Sequence, residues 1–281
     1  MIWPSAVLPN GASLARHFLP GPLILHLHVA IISWADKGPN AARIAASLAP
    51  LARVTVIYSN PGELPEVGAG HWIQLPNTAY FGPKFVTALQ ETASDEVLLL
   101  IHADTDFSDW PHLADRCAKA FATLPDLGLW APDFTHTPWP SDLVRLLPQP
   151  EATELISVMQ TDGIITAFAP ATLNRLHKLD LSSNNLGWGI DWAAVAFCYA
   201  SGLRVVRDTS LVVTHPRSRG YRGGAAAVAM HALFAQLTLP ERTQIALLRG
   251  YFNDRKAASR PWYSRLFYAL TGKTKDPFAG L

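Results

Sequence analysis

Glu96-Val97-Leu98-Leu99-Leu100-Ile101-His102-Ala103-Asp104-Thr105-Asp106-Phe107 is the stretch whose reading decides the fold. Its five-residue apolar run, Val97 to Ile101, is too short for a solitary helix and suits a central strand. A parallel strand covered on both faces shows a continuous apolar run instead of an alternation. Two carboxylates one residue apart follow at once. In open α/β sheets, ligands bind beyond the carboxyl ends of the strands. An Asp-x-Asp placed there can hold a divalent cation, because two hard oxygen donors on a tight turn converge on one point. A bare Asp-x-Asp is more often a solvated turn, so its weight depends on the rest of the chain.

Outward from that strand, the chain alternates. Leu23 to Ser33 reads as a first strand, Ala41 to Leu51 as a helix with Pro39 and Asn40 at its start, and Arg53 to Tyr58 as a β-branched second strand. Trp72 to Leu75 is a third strand and Pro83 to Thr92 a helix. After the central strand come a helix over Pro111 to Leu124 and a strand over Leu127 to Ala131. A proline-rich excursion follows, with a helical turn at Asp142 to Leu147. Ile156 to Ala169, broken by Thr161-Asp162-Gly163, reads as a strand or hairpin. Ala171 to Leu176 and Ile190 to Ser201 are helical, with a polar loop between, and Arg204 to Thr214 is a strand pair or one long strand. This order predicts an α/β fold with a mostly parallel twisted sheet flanked by helices. Residues 1–22 form an irregular lead-in, 23–224 the main domain, and 225–281 a helical C-terminal extension with a basic, aromatic tail.

Composition narrows the function. With 281 residues and 49% apolar content, the chain can build a sizeable core. A net charge of +1 gives no global electrostatic case for nucleic acid. Cys117 and Cys198 lie far apart in apolar surroundings and form no metal or disulfide spacing; both read as buried thiols in a reducing compartment. The start, Met1-Ile2-Trp3-Pro4-Ser5, lacks the pattern of a secretory signal, and Leu23 to Ser33 is too short to span a bilayer. The expected location is cytoplasmic, extending to the inner face of the membrane.

Four local features occur in order: Asn77-Thr78-Ala79-Tyr80-Phe81-Gly82-Pro83-Lys84; His102-Ala103-Asp104-Thr105-Asp106; Gly187-Trp188-Gly189-Ile190-Asp191-Trp192; and Val212-Val213-Thr214-His215-Pro216-Arg217. Together they resemble the glycosyltransferases of the GT-A fold, particularly the inverting family 2 enzymes, over roughly residues 23–220. The resemblance implies a hexosyltransferase-type enzyme that moves a sugar from a nucleoside-diphosphate-sugar to a hydroxyl of a glycan or glycolipid acceptor.

It also implies roles. Asp104 and Asp106 match the motif that holds Mn2+ or Mg2+ against the donor diphosphate, and His215 matches a late histidine that completes the metal shell. An imidazole among the ligands tilts the choice toward Mn2+, since Mg2+ prefers all-oxygen shells. Asp191 matches the general base, needed because an acceptor hydroxyl is a poor nucleophile until its proton is removed. Here Ile190 stands where the commoner pattern has a second acidic residue, so a single carboxylate must serve. Gly187 and Gly189 permit tight turns, and Trp188 can floor the sugar or acceptor site. Ser33, Trp34 and Asn60 are candidates for the nucleobase, and Thr105 and Lys84 for the donor. Arg217, Arg219 and Arg222, in a loop rich in glycine, could close over the diphosphate.

The tail from Arg255 to Lys275 mixes basic residues with Trp262, Phe267 and Tyr268. It suits peripheral contact with an anionic membrane, packing on the catalytic domain, or contact with a polymeric acceptor. A nucleotidyltransferase would want a glycine-rich basic loop after the first strand, and Ser33 to Asn40 fits that poorly. Two further readings compete with a glycan transferase: a non-catalytic nucleotide- or carbohydrate-binding module, and a transferase acting on a protein or modified DNA.

Overall fold

A computed structural model describes residues 26–59, 68–147, 154–216 and 223–259. The N-terminal lead-in, Asn60, Arg217, Arg219, Arg222 and the tail beyond residue 259 lie outside the described residues. The strands are β1 (Leu27–Trp34), β2 (Arg53–Ser59), β3 (His71–Gln74), β4 (Val97–His102), β5 (Leu127–Phe134), β6 (Leu155–Ser157), β7 (Ile165–Phe168) and β8 (Arg204–Val213). The helices are α1 (Gly38–Leu48), α2 (Phe81–Glu91), α3 (Trp110–Thr123), α4 (Ser141–Val144), α5 (Pro170–Leu176), α6 (Ile190–Ala200), α7 (Gly223–Ala235) and α8 (Leu239–Ala258).

The strands form one sheet in the order β3-β2-β1-β4-β7-β5-β8-β6. β1 pairs in parallel with β2 and β4, β2 with β3, and β5 with β8, while β7 and β6 run antiparallel to their neighbours. The central strand, β4, is apolar from Val97 to Ile101, where both its faces are covered. Leu98 and Leu100 pack into one core with α2, α5, α6 and α8, whereas Val97, Leu99 and Ile101 pack into another with α1 and α3. β1 does the same, with Ala30 and Ile32 facing the first core and Val29 and Ile31 the second.

Two regions differ in detail from the sequence expectation. Residues 156–169 do not make a hairpin: β6 pairs with β8 at the sheet edge, while β7 inserts between β4 and β5. The wholly buried Ile165–Phe168 run suits an interior position, and the half-exposed Leu155–Ser157 an edge. The connection between them carries the left-handed pair Asp162 (φ 80°) and Gly163 (φ 74°). Residues 204–213 form one strand whose register against β5 jumps between Pro132 and Asp133; proline offers no ladder donor there.

The polypeptide reverses its lateral direction at β1. It runs outward through β2 and β3, then returns to place β4 on the other side of β1. The crevice beyond the carboxyl ends of β1 and β4 is therefore the topological switch point, where α/β sheets bind ligands. Ile245, Leu248 and Phe252 of α8 share a core with Trp192 and Val195 of α6, and Thr238 and Glu241 form a capping box that starts α8. Among the described residues, no helix is long and apolar enough to cross a membrane.

Candidate active site

β4 delivers His102 to the switch point as its last residue, and the turn after it delivers Asp104. His215 arrives from the end of β8, two residues beyond Val213. A short antiparallel bridge joins the two segments: the Asp106 amide donates to the Thr214 carbonyl (2.9 Å) and the Thr214 amide to the Asp106 carbonyl (3.0 Å). One ligand atom from each of His102, Asp104 and His215 lies within 4.8 Å of the others. His215 Nε2 stands 3.4 Å from Asp104 Oδ2.

The chemistry of this cluster fits a divalent cation. His102 Nε2 and Asp104 Oδ1 are shut off from solvent and have no hydrogen-bond partner. Leaving a buried polar atom unpaired costs about 1–3 kcal/mol, and a cation would satisfy both atoms at once. Burial lowers the His102 pKa to about 4, so the ring is neutral and keeps a lone pair to offer. Burial pushes the Asp104 carboxyl up, but hydrogen bonding from His215 and the electrostatic influence of the two histidine rings outweigh it and hold the group below its ordinary range. Two imidazoles and one carboxylate suit Mn2+, Co2+ or Zn2+ better than Mg2+.

Asp106 stands apart. Its side chain is 81% exposed and pairs with Arg43 Nη2 at 3.3 Å. Thr105 is buried, and its hydroxyl donates to the His102 carbonyl at 2.6 Å.

Asp191 comes from the first turn of α6. Gly189, with φ 86°, caps that helix, and Gly187, with φ 73°, turns the loop before it. Added Cβ atoms would strike Met230 Cγ at 2.7 Å from Gly189 and Phe81 Cδ1 at 2.1 Å from Gly187, so neither position tolerates a side chain. The Asn184 side chain donates to the Trp188 carbonyl at 2.9 Å and fixes the loop. Ile190, which replaces the second acidic residue, is buried in the core. Burial raises the Asp191 pKa to about 6, with the Asp162 charge adding to the effect against hydrogen bonds from the helix amides and Gln160. Gln160, itself buried, donates from Nε2 to Asp191 Oδ2 at 2.9 Å while its own Oε1 accepts from the Thr161 amide at 2.7 Å. Behind it lies Arg207, fully buried, whose Nη2 donates to the Gln160 carbonyl at 3.1 Å.

Lys84, on the first turn of α2, is only 1% exposed. It donates to the Ser33 carbonyl at 2.7 Å and lies 5.3 Å from the Trp34 ring centroid. Burial lowers its pKa to about 8. Trp34 in turn meets His102 edge-on at 5.4 Å, so lysine, indole and imidazole form one wall.

A cleft of about 1130 Å3 gathers most of these groups. Trp34, Lys84, Asp104, Gly187, Trp188, Gly189, Asp191 and His215 all line it. Ser33, Thr105 and Asp106 do not. Three groups that sequence reasoning left without a role also matter to the site: His102, Gln160 and Asp162. A signal existed for His102, which stands two residues before Asp104 at the strand end, the same spacing that drew attention to Asp106.

No protein-family model matches the chain, and no curated protein matches it in sequence. Solved structures do resemble it. A crystal structure of GalNAc-T7 with UDP, GalNAc and Mn2+ overlays 88% of this chain on 54% of its own with a TM-score of 0.58 at 11% identity. The chain thus spans about half the length of that protein. S. aureus TarS overlays 90% of this chain on 89% of its own, at a TM-score of 0.47 and 13% identity. UDP-glucose pyrophosphorylase complexed with UDP-glucose overlays 74% on 98%, at 0.41 and 8%. The protein has the GT-A fold.

Proposed function

We propose that this protein is a divalent-cation-dependent glycosyltransferase. It takes a sugar from a nucleoside-diphosphate-sugar and passes it, with inversion, to a hydroxyl of a glycan or glycolipid acceptor. The observation that carries this reading is the cluster of His102, Asp104 and His215 at the switch point of the sheet, with Asp191 lining the same cleft. A cation held by those three residues would neutralise the charge that grows on the leaving diphosphate.

The protein's own residues supply the rest. Lys84 places a buried ammonium at the metal end of the cleft, where it favours an anionic donor. Trp34 and Trp188 offer flat apolar surfaces for a base or a sugar ring. Asp191, with a pKa of about 6, is ionised at neutral pH yet basic enough to accept a proton in the transition state. The acceptor oxygen bonds to the anomeric carbon as the bond from that carbon to the diphosphate oxygen breaks. The acceptor proton passes to Asp191, and the electron pair leaves with the nucleoside diphosphate. Arg217, Arg219 and Arg222 follow His215 in sequence and would bring further positive charge to the diphosphate.

The test is binding and slow hydrolysis of a panel of nucleotide-sugars with and without Mn2+, for the wild type, Asp104→Ala and Asp191→Ala. One donor should bind only with the metal, Asp104→Ala should lose that binding, and Asp191→Ala should bind the donor but fail to transfer. The reading fails if no nucleotide-sugar binds under any metal condition, or if Asp191→Ala transfers at the wild-type rate.

A further inference from the structure

The turn that carries Asp104 is held from outside the cleft. Asn40, in the first turn of α1, donates from Nδ2 to two backbone carbonyls, Ala103 O at 2.7 Å and Thr105 O at 2.9 Å. Those carbonyls flank Asp104 on either side. Arg43, one turn further along α1, donates to Asn40 Oδ1 from Nε at 3.1 Å and from Nη2 at 2.7 Å. The same Nη2 reaches Asp106 Oδ1 at 3.3 Å. The amide orientation follows from its partners: turned over, its oxygen would face two carbonyls and its NH2 a guanidinium.

We propose that Asn40 is a positioning residue for the cation site, and that Asp106 serves this clamp as an outer anchor instead of as a metal ligand; the proposal rests on reading His102, Asp104 and His215 as that site. A ligand carboxylate must be aimed within a few tenths of an ångström, and between the Ala103 amide, which donates to the Ile32 carbonyl at 2.9 Å, and the Asp106–Thr214 bridge the Asp104 turn leaves the strand ladder. Asn40 supplies what the ladder would have supplied, pinning the backbone before and after Asp104. Arg43 fixes the Asn40 side chain in turn, and the Asp106 carboxylate draws the guanidinium over it. The Asp106–Thr214 bridge then ties the clamped turn to the strand end that carries His215.

The experiment is Mn2+ titration, by calorimetry and by electron paramagnetic resonance of the free ion, on the full chain as wild type, Asn40→Ala, Asn40→Asp and Asp106→Asn. Thermal midpoints are read without metal. Asn40→Asp keeps the shape and the acceptor for Arg43 but removes both donors to the carbonyls. Loss of an outer-shell partner typically weakens metal binding about 10- to 100-fold. Asn40→Ala and Asn40→Asp should both weaken Mn2+ binding at least about tenfold at an almost unchanged metal-free midpoint. Asp106→Asn should weaken it by less than about fivefold, since no ligand is removed. The proposal is overturned if Asn40→Asp binds like the wild type, if Asp106→Asn loses as much as an Asp104→Ala control, or if both Asn40 variants fail to fold, which would make the residue's role structural. Absence of Mn2+ binding in the wild type would overturn the cation site itself and the clamp with it, an outcome separate from the others.

Discussion

The proposed role of Asp191 as a base requires an ionised carboxylate, yet the fold buries its carboxyl. Burial and the charge of Asp162 lift its pKa from 3.8 to about 6, so the native state holds its proton more tightly than the unfolded chain does. Stability from this group is therefore present below about pH 4 and lost as pH rises toward 6. A two-unit shift corresponds to about 3 kcal/mol at most, and because the carboxyl opens on the cleft about 1 kcal/mol is the better expectation. Asp191→Asn should accordingly melt about 2–4 °C higher than the wild type at pH 8, with the gain gone by pH 4. A difference in melting temperature that stays flat between pH 4 and 8 would show that the carboxyl is not strained by burial. The sequence made Asp191 visible because a lone acidic residue opens an apolar helix after a glycine-rich loop. Gln160 and Asp162, which adjust in opposite directions the proton affinity that burial raises, were not legible as its neighbours, because they arrive from a connection whose path depends on strand pairing. The same limit applied to the candidate cation site. An i, i+2 spacing puts two side chains on one face of extended chain, and that spacing fits both Asp104 with Asp106 and His102 with Asp104. Asp106 is exposed, pairs with Arg43 and bridges through its backbone to Thr214, and neither contact can be read from the local sequence.

β1 shows how one strand binds three elements together through a polar residue. His28 is fully buried; its Nδ1 lies 2.8 Å from Thr92 Oγ1 beyond α2 and its Nε2 2.9 Å from Thr55 Oγ1 on β2. The Thr92 hydroxyl already donates to the Ala88 carbonyl at 2.6 Å, so His28 Nδ1 must be the donor in that pair and Nε2 the acceptor from Thr55. Burial, with the nearby Arg53 charge, lowers the His28 pKa from 6.5 to about 4. For a depressed histidine, the stability is fully present above pH 6.5 and drains away as pH falls toward 4. Wild-type protein should lose about 2–3 kcal/mol more stability than His28→Leu between pH 7.5 and 4.5, measured from urea midpoints. Equal losses in the two proteins would mean that acid sensitivity arises elsewhere. The helices and parallel strands around β1 were legible because their signals are local: apolar runs and proline near helix starts. The neighbours of β7 and β6 were not, because a Thr-Asp-Gly turn states that the chain bends and says nothing of which strands it then joins.

At the scale of the whole molecule, the cluster of His102, Asp104 and His215 is where two distant parts of the sheet meet. His102 and Asp104 belong to the end of β4, near the middle of the sheet, and His215 to the end of β8, three places along the strand order. The C-terminal helices brace the same region from one side: α8 packs on α6, and Arg175 of α5 pairs with Glu241 of α8 at 2.6 Å in a largely buried bidentate contact. A ligand shell assembled from such separate segments does not exist in the unfolded chain, so a bound cation must stabilise the native state by mass action. At 100 times its Kd, Mn2+ should add about 2.7 kcal/mol, or about 5–10 °C in Tm for a chain of this size. Co2+ should act similarly, and Mg2+ at equal concentration should do far less, because two of the three ligands are imidazoles. His215→Ala should abolish most of the Mn2+ shift, read against that variant's own metal-free Tm because His215 Nε2 also stands 3.4 Å from Asp104 Oδ2. If instead Mg2+ matched Mn2+, the ion would be held by oxygen donors alone and the imidazoles would have no place in its shell. If His215→Ala kept the full Mn2+ shift, β4 alone would bind the ion, and the cluster would not join the two strand ends.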